Sequence, residues 1–258
     1  MVPFRVAAAQ VPSQRGNVER NVATHLSAIE AAARHGVSLL VFPELSLTGY
    51  EPSMAAEFAI APNDPRLAPL AESARRHRME IVVGAPLGSA PGTQLSAAER
   101  PPKPALGAIV FGHCDEPRIY RKMHLGGDEP EYFEPGDSPL VVTVDRWSVG
   151  LAICADSSSA DHPRTYAERE CGIYAAGVFL TAEWFASDTP RLASHAARHR
   201  MLVVMANHGA STGTYASVGR SAVWNPSGVI LASARGDETA LVIATWEEST
   251  WSGAVALA

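Results

Sequence analysis

The stretch LVVTVDRWSVGLAIC, residues 140–154, reads as two apolar runs separated by a polar turn. Residues 140–144 and 149–154 are rich in Val, Leu and Ile and too short for an ordinary helix, so both read as strands. A direct strand-to-strand connection disfavours a closed (βα)₈ barrel, in which a helix follows every strand. The second run also ends on a thiol, Cys154.

The same mixture extends outward. Residues 4–11 and 39–42 read as strands on either side of a helix. Asn17 is placed to cap that helix; Val22, Leu26, Ile29 and Ala33 share one face, and Gly36 lies just past its end. A helix over 66–79 leads to a strand at 81–85, and 106–112 with 118–121 read as a hairpin closed around 115–117. Residues 87–104, rich in Pro, Gly, Ser and Ala, read as a loop inside the domain. Beyond the central pair, a helix is expected at 163–169, a strand at 178–182, a helix at 190–200 and a strand at 202–206. Strands at 222–224, 229–234 and 241–245 follow, with Asn225-Pro226-Ser227-Gly228 as a turn. The pattern suits an α/β protein of two sheets packed face to face with helices outside each. It is read as one domain over 1–258, with 247–258 as a short C-terminal tail suited to subunit contact.

Hydrophobic residues make up 47 % of the chain and charged residues 19 %, which supports a large core and excludes global disorder. The net charge of −6 comes without a basic stripe, so nucleic acid is not an expected partner. Arg75, Arg76 and Arg78, with Glu72 and Glu80, read as a solvated helix face. The three cysteines, Cys114, Cys154 and Cys171, are too few and too scattered for a disulfide framework, and no C-x-x-C pattern suggests zinc. Cys114 and Cys171 read as inert, with Cys171 the more exposed to oxidation. No apolar run approaches the roughly 18 residues of a membrane span. A cytoplasmic protein without a membrane, metal or cofactor requirement is the expectation.

Three segments share one feature, a reactive side chain at the C-terminal end of an apolar strand. They are Leu39-Leu40-Val41-Phe42-Pro43-Glu44, Ile119-Tyr120-Arg121-Lys122 and Val149-Gly150-Leu151-Ala152-Ile153-Cys154. Strand ends of open α/β sheets are where ligand crevices form. A carboxylate, an ammonium and a thiol meeting there make a complete nucleophilic set: base, oxyanion partner and nucleophile. Taken singly, each has an ordinary alternative: a buried small hydrophobe for the Cys, a loop carboxylate for the Glu, a solvated cation for the Lys.

In context, the three segments resemble the signature blocks of the nitrilase (carbon–nitrogen hydrolase) superfamily, in the family's order. The first is Leu40-Val41-Phe42-Pro43-Glu44-Leu45 with Thr48-Gly49-Tyr50; the second is Tyr120-Arg121-Lys122-Met123-His124-Leu125, leading to Glu129 and Tyr132-Phe133-Glu134-Pro135-Gly136. The third is Gly150-Leu151-Ala152-Ile153-Cys154-Ala155-Asp156. The resemblance implies a four-layer α-β-β-α sandwich, paired into a homodimer or a modest homo-oligomer. It implies Glu44 as general base and acid, Lys122 as the oxyanion partner and Cys154 as nucleophile. Glu129 would orient the lysine or the substrate, and the backbone N–H of Ala155 would be a second oxyanion donor. The implied substrate is a small amide or N-carbamoyl compound cleaved through a thioester. Nitrile hydrolysis, acyl transfer to an amine, and a non-catalytic binding homologue remain the alternatives.

The sequence departs from the family pattern after Cys154. Ser157-Ser158-Ser159 stand where bulky residues are usual, and a roomier or more polar pocket wall is expected; Asp161 and Arg164 read as a structural pair. Tyr50, Glu183, Trp184 and His124 are the substrate-binding candidates, the middle two because they follow the expected strand at 178–182. His208, in Asn207-His208-Gly209, reads as structural.

Overall fold

The computed structural model describes residues 3–88, 103–113 and 116–257. The chain opens with strand β1 (Phe4–Gln10), helix α1 (Val18–Arg34) and strand β2 (Leu39–Val41). The Asn17 side chain accepts the Arg20 N–H, the cap the sequence predicts, and Gly36 takes a left-handed φ of 63°. Helices α2 (Ala55–Phe58) and α3 (Ala68–His77) lead to β3 (Glu80–Leu87). Strands β4 (Ala105–Phe111) and β5 (Arg118–Arg121) form the expected hairpin, with most of the 87–104 loop and Cys114 outside the described residues.

Helix α4 (Glu129–Tyr132) precedes the hairpin of β6 (Val141–Val144) and β7 (Trp147–Ile153). Then come α5 (Asp161–Glu168), β8 (Ile173–Gly177), α6 (Ala182–His199) and β9 (Leu202–Ala206). Strands β10 (Ala222–Trp224), β11 (Ile230–Ser233), β12 (Ala240–Glu247) and β13 (Thr250–Leu257) close the chain.

Among the described residues two sheets result, one of seven strands in the order β13-β12-β1-β2-β3-β4-β5 and one of six in the order β11-β10-β9-β8-β7-β6. In each, the middle three strands are parallel (β1-β2-β3 and β7-β8-β9) and are joined through helices. Strands covered on both faces read as near-continuous apolar runs. Val6 and Ala8 point into the core between the sheets, where they meet Leu151, Ala175 and Val204. Ala7 and Ala9 point outward onto Val22 and Ile29 of α1 and Leu70 of α3. On the other sheet Ala152, Ala176 and Met205 point outward onto Tyr166 of α5 and Leu192 of α6. Three apolar layers separate four layers of backbone, the α-β-β-α sandwich that the sequence leads one to expect. Among the described residues no helix is long and apolar enough to cross a membrane.

Several local readings are corrected. The strand expected at 178–182 lies earlier, at Ile173–Gly177, and the following residues run into α6. That helix begins at Thr181, whose hydroxyl accepts the Trp184 N–H, and Pro190 sits inside it instead of opening it. The segment read as a tail forms an edge strand, β13, paired along its length with β12. Arg75, Arg76 and Arg78 are exposed as expected, but Glu80 is buried at the start of β3, where it pairs with Arg118 and His113. Cys171 is buried, and burial raises its pKa above the ordinary thiol value, so it is not an exposed oxidation site. Asp161 and Arg164 do pair, 3.0 Å apart on the exposed face of α5.

Candidate active site

Glu44 stands in the tight turn after β2. Leu45, next to it, has a φ of 52°, and its carbonyl accepts the N–H groups of Thr48 and Gly49. Two glycines let neighbouring strands approach this turn. A Cβ on Gly84 would lie 2.4 Å from the Leu45 nitrogen and 2.6 Å from the Pro43 oxygen; one on Gly177 would lie 2.6 Å from the Phe42 oxygen. The turn is also pinned by histidines. His208 Nε2 donates to the Glu44 carbonyl at 2.7 Å. His25 Nδ1 donates to Asn21 O (2.6 Å) and its Nε2 accepts from Ser46 Oγ (2.9 Å), which in turn accepts the Gly84 N–H. Burial holds the pKa of both rings down at about 4, so both are neutral.

Lys122 continues β5: its N–H donates to Leu106 O, and its carbonyl accepts from Gly136. Its ammonium donates to Glu44 Oε1 and to Glu129 Oε1, each at 2.7 Å, and all three side chains are buried. Tyr50 donates its hydroxyl to Glu129 Oε1 at 3.0 Å, while Glu129 Oε2 accepts the Gly126 N–H at 2.8 Å. An ammonium has three N–H donors. Two are spent on the carboxylates, and the third is committed to neither. The second oxygen of Glu44, Oε2, has no hydrogen-bond partner among the described residues.

Cys154 follows β7 directly. Its φ of 42° turns the chain sharply out of the strand into a 3₁₀ turn, Cys154–Ser158, an uncommon conformation for a residue with a Cβ. Its sulfur lies 3.9 Å from the Phe179 carbonyl and is only part-buried, unlike the carboxylates.

Electrostatics tie the three groups together. Burial, with the Glu129 charge, pushes the Glu44 carboxyl up to about 7 against the pull of Lys122. Burial and the Glu44 charge push the Cys154 thiol well above its ordinary range, with Lys122 opposing. Burial works against the Lys122 charge, but Glu44, Cys154 and Glu129 outweigh it and raise its pKa. At neutral pH the site therefore holds an ammonium and a thiol beside a carboxyl group poised to take a proton.

Asp156, given no role in the sequence reading, organises the site from beneath. Its Oδ1 accepts the N–H groups of Met123 (3.0 Å) and His124 (2.8 Å); Oδ2 accepts the Ile153 N–H (2.9 Å) and the Tyr120 hydroxyl (2.6 Å). His124 Nδ1 also reaches Oδ1 at 3.2 Å, so this candidate is engaged with Asp156 and not with the Glu44–Lys122 cluster. His124, Asp156 and His162 lie close enough to suggest a metal site. The groups are already used: both His162 nitrogens meet tyrosine hydroxyls, of Tyr120 at 2.8 Å and Tyr174 at 2.9 Å.

Two of the three serines are tied into local hydrogen bonds. Ser157 is buried, with its hydroxyl on the Cys154 carbonyl (2.9 Å) and its own carbonyl on His195 (2.8 Å); Ser158 Oγ accepts from Arg191 at 2.7 Å. Ala155 follows the nucleophile candidate at the head of the turn, part-exposed. Trp184 and Glu183 sit in the exposed first turn of α6, not at a strand end. Phe179 and Tyr215, absent from the sequence reading, stack around Tyr50. A groove of about 1160 Å³ lined by Phe4, Trp147 and Trp246 lies at the opposite strand ends and holds none of these residues.

An α-β-β-α sandwich with a carboxyl group, an ammonium and a thiol gathered at its strand ends has the architecture of a hydrolytic enzyme. The chain belongs to the carbon–nitrogen hydrolase family, whose model matches residues 5–254. It is 30 % identical over 256 residues to a hydrolase encoded in the pqqF 5′ region of Pseudomonas protegens, covering 94 % of this chain and 82 % of that one. It is 26 % identical to the omega-amidase NIT2 of Bos taurus, covering 93 % and 87 % of the two chains. A glutamine-dependent NAD(+) synthetase of Thermotoga maritima is 32 % identical over 162 residues, 60 % of this chain, but the match spans only 26 % of that longer protein. Among solved structures, the amidase from Nesterenkonia sp. AN1 superposes with a TM-score of 0.81 at 23 % identity, covering 94 % and 90 % of the chains. That structure is of a mutant of the amidase, in which the acetamide moiety of fluoroacetamide is attached to the active-site cysteine.

Proposed function

We propose that this carbon–nitrogen hydrolase cleaves a small non-peptide amide through a thioester on Cys154. The observation that carries the reading is the double commitment of Lys122 to Glu44 and Glu129, which fixes an ammonium and leaves one N–H for an oxyanion. In the first half, Glu44 takes the Cys154 proton as sulfur bonds to the carbonyl carbon. The carbonyl π electrons move to oxygen, which Lys122 and the Ala155 N–H stabilise. When the intermediate collapses, the carbon–nitrogen bond breaks, and Glu44 returns its proton to nitrogen because an amide anion is too poor a leaving group. In the second half, water attacks the thioester and gives its proton to Glu44. Collapse expels the sulfur, which recovers the proton, and a carboxylic acid leaves.

Glu129, anchored by Tyr50 and the Gly126 N–H, holds the lysine in place in this reading. The amidase with a modified cysteine among its structural neighbours is consistent with the assignment of Cys154. Ammonia release from simple amides, followed with intact-mass spectrometry, tests the proposal. A Cys154 acyl adduct and ammonia are expected from the wild type and neither from Cys154→Ala. Ammonia release that survives Cys154→Ala in a purified sample would reject it. The homodimer implied by the family resemblance is kept as part of this reading and is tested by light scattering.

A further inference from the structure

Four aromatic rings run without a break from the buried carboxylates to the surface. Tyr50, whose hydroxyl holds Glu129, stacks on Phe179 with centroids 4.8 Å apart and planes 13° apart. The Phe179 carbonyl lies 3.9 Å from the Cys154 sulfur, so this stack flanks the nucleophile candidate. Tyr215 meets both rings edge-on, at 5.5 Å from Tyr50 and 6.0 Å from Phe179. Trp184 lies 6.1 Å beyond Tyr215, tilted by 35°, and is 38 % exposed although it is the largest apolar side chain in its turn. Ligand pockets are lined mainly by apolar and aromatic side chains.

The charges at the inner end of this wall sum to a negative value. With Glu44 ionised, Glu44, Glu129 and Lys122 together carry a net charge of −1, all buried. Asp128 is near enough to Tyr215 to raise its pKa, after burial. Of the cations on that side, Lys103 is held on the Pro130 carbonyl and Arg220 lies over the Phe185 ring. Among the described residues, neither they nor any other Lys or Arg lies over one of the four rings.

We propose that Tyr215 and Trp184, backed by the buried Tyr50–Phe179 stack, form the acyl-binding wall, and that the substrate is an uncharged amide whose acyl group ends in a flat apolar or aromatic moiety. This rests on the amidase reading above. A carboxylate on the acyl chain would be carried toward a site that is already negative, and a short aliphatic acyl group would leave Tyr215 and Trp184 without contact.

The test compares 3-phenylpropanamide, propanamide and succinamate by kcat/KM for ammonia release. The same three compounds are then compared as protectors of Cys154 against alkylation by iodoacetamide, which reports acyl preference without turnover. The phenyl compound is expected to exceed propanamide by about tenfold, and succinamate to fall below it. Trp184→Ala and Tyr215→Leu should each shrink the phenyl-to-methyl ratio several-fold; Trp184 is exposed, so its variant is the one least exposed to folding failure. Propanamide or succinamate preferred in both assays, or an unchanged ratio in Trp184→Ala, overturns the proposal. Absence of all turnover alongside selective protection by the phenyl compound would instead count against the amidase reading while supporting the wall.

Discussion

Asp156 Oδ1 accepts the backbone N–H of His124 at 2.8 Å, tying the strand end that carries Lys122 to the turn that carries Cys154. The same oxygen holds Met123, and the other holds Ile153 and Tyr120, so one buried carboxylate sets the spacing of two groups that are distant in sequence. Asp156 touches no reacting atom; it is a positioning residue. Asp156→Ala should lower kcat by about 10²-fold, the scale of a small misplacement of reacting groups. The readout is kcat, KM and the pH profile of the fraction that remains folded by circular dichroism. A purely structural role would lower the melting temperature while leaving the per-molecule kcat and the pH profile of the folded fraction unchanged.

Glu44 must be a carboxylate to take the thiol proton, and burial raises its pKa from 4.5 to about 7. The sign follows: below that value the base is protonated and the rate falls. The acid limb of kcat/KM should therefore lie near pH 7, with a loss of about tenfold per pH unit beneath it. Because the Cys154 thiol is pushed above its ordinary range, no rise from free thiolate should appear just above neutrality. An acid limb at the ordinary carboxylate value, near 4.5, would sink the assignment of Glu44 as a buried base.

Gly84 lies against the peptide that follows Glu44, and a Cβ there would come within 2.6 Å of both the Leu45 nitrogen and the Pro43 oxygen. Neither atom is the end of a flexible side chain, so the turn itself must move. Gly84→Ala should cost about 1–3 kcal/mol of stability by overpacking and more than tenfold in kcat, because Glu44 moves with its turn. Urea titration and steady-state kinetics on the same preparation check it; a kcat equal to wild type would show that the turn does not govern Glu44.

The large features were legible because they follow from patterns that strong forces enforce. Strands buried on both faces are near-continuous apolar runs, so β1, β2, β7 and β9 could be read directly. Glu44 and Cys154 stood out because each ends such a run, and Lys122 because it ends the edge strand β5. The misreadings came where two signals compete. Val178-Phe179-Leu180 is as apolar as a strand, but it follows one and leads into a helix, and Pro190 resembles a helix start although Thr181 is the cap. Asp156 closes the third signature block, but its role could not be read there, because it lies in donors contributed by two separate strand ends. The Tyr215–Trp184 wall joins residues that no periodicity relates. Gly84 had a usable signal, a glycine inside a strand, which marks close backbone approach.

His25 and His208 make acid stability a further test of how the Glu44 turn is held. Both are fully enclosed and have pKa values lowered from 6.5 to about 4, chiefly by burial. A lowered pKa means that the unfolded chain binds protons first as pH falls. The stability these rings contribute is whole above pH 6.5 and is lost progressively toward pH 4, by roughly 2 kcal/mol each near pH 5. The raised Glu44 carboxyl works the other way, since protonation of the folded chain between about 7 and 4.5 is favourable. Wild-type acid sensitivity is thus a difference of opposed terms, and a variant isolates one of them. His208→Gln keeps an N–H to donate to the Glu44 carbonyl but cannot titrate in this range. Its urea midpoint should fall less than the wild type's between pH 7 and pH 5. Equal falls in the two proteins would mean that His208 is not held neutral inside the fold.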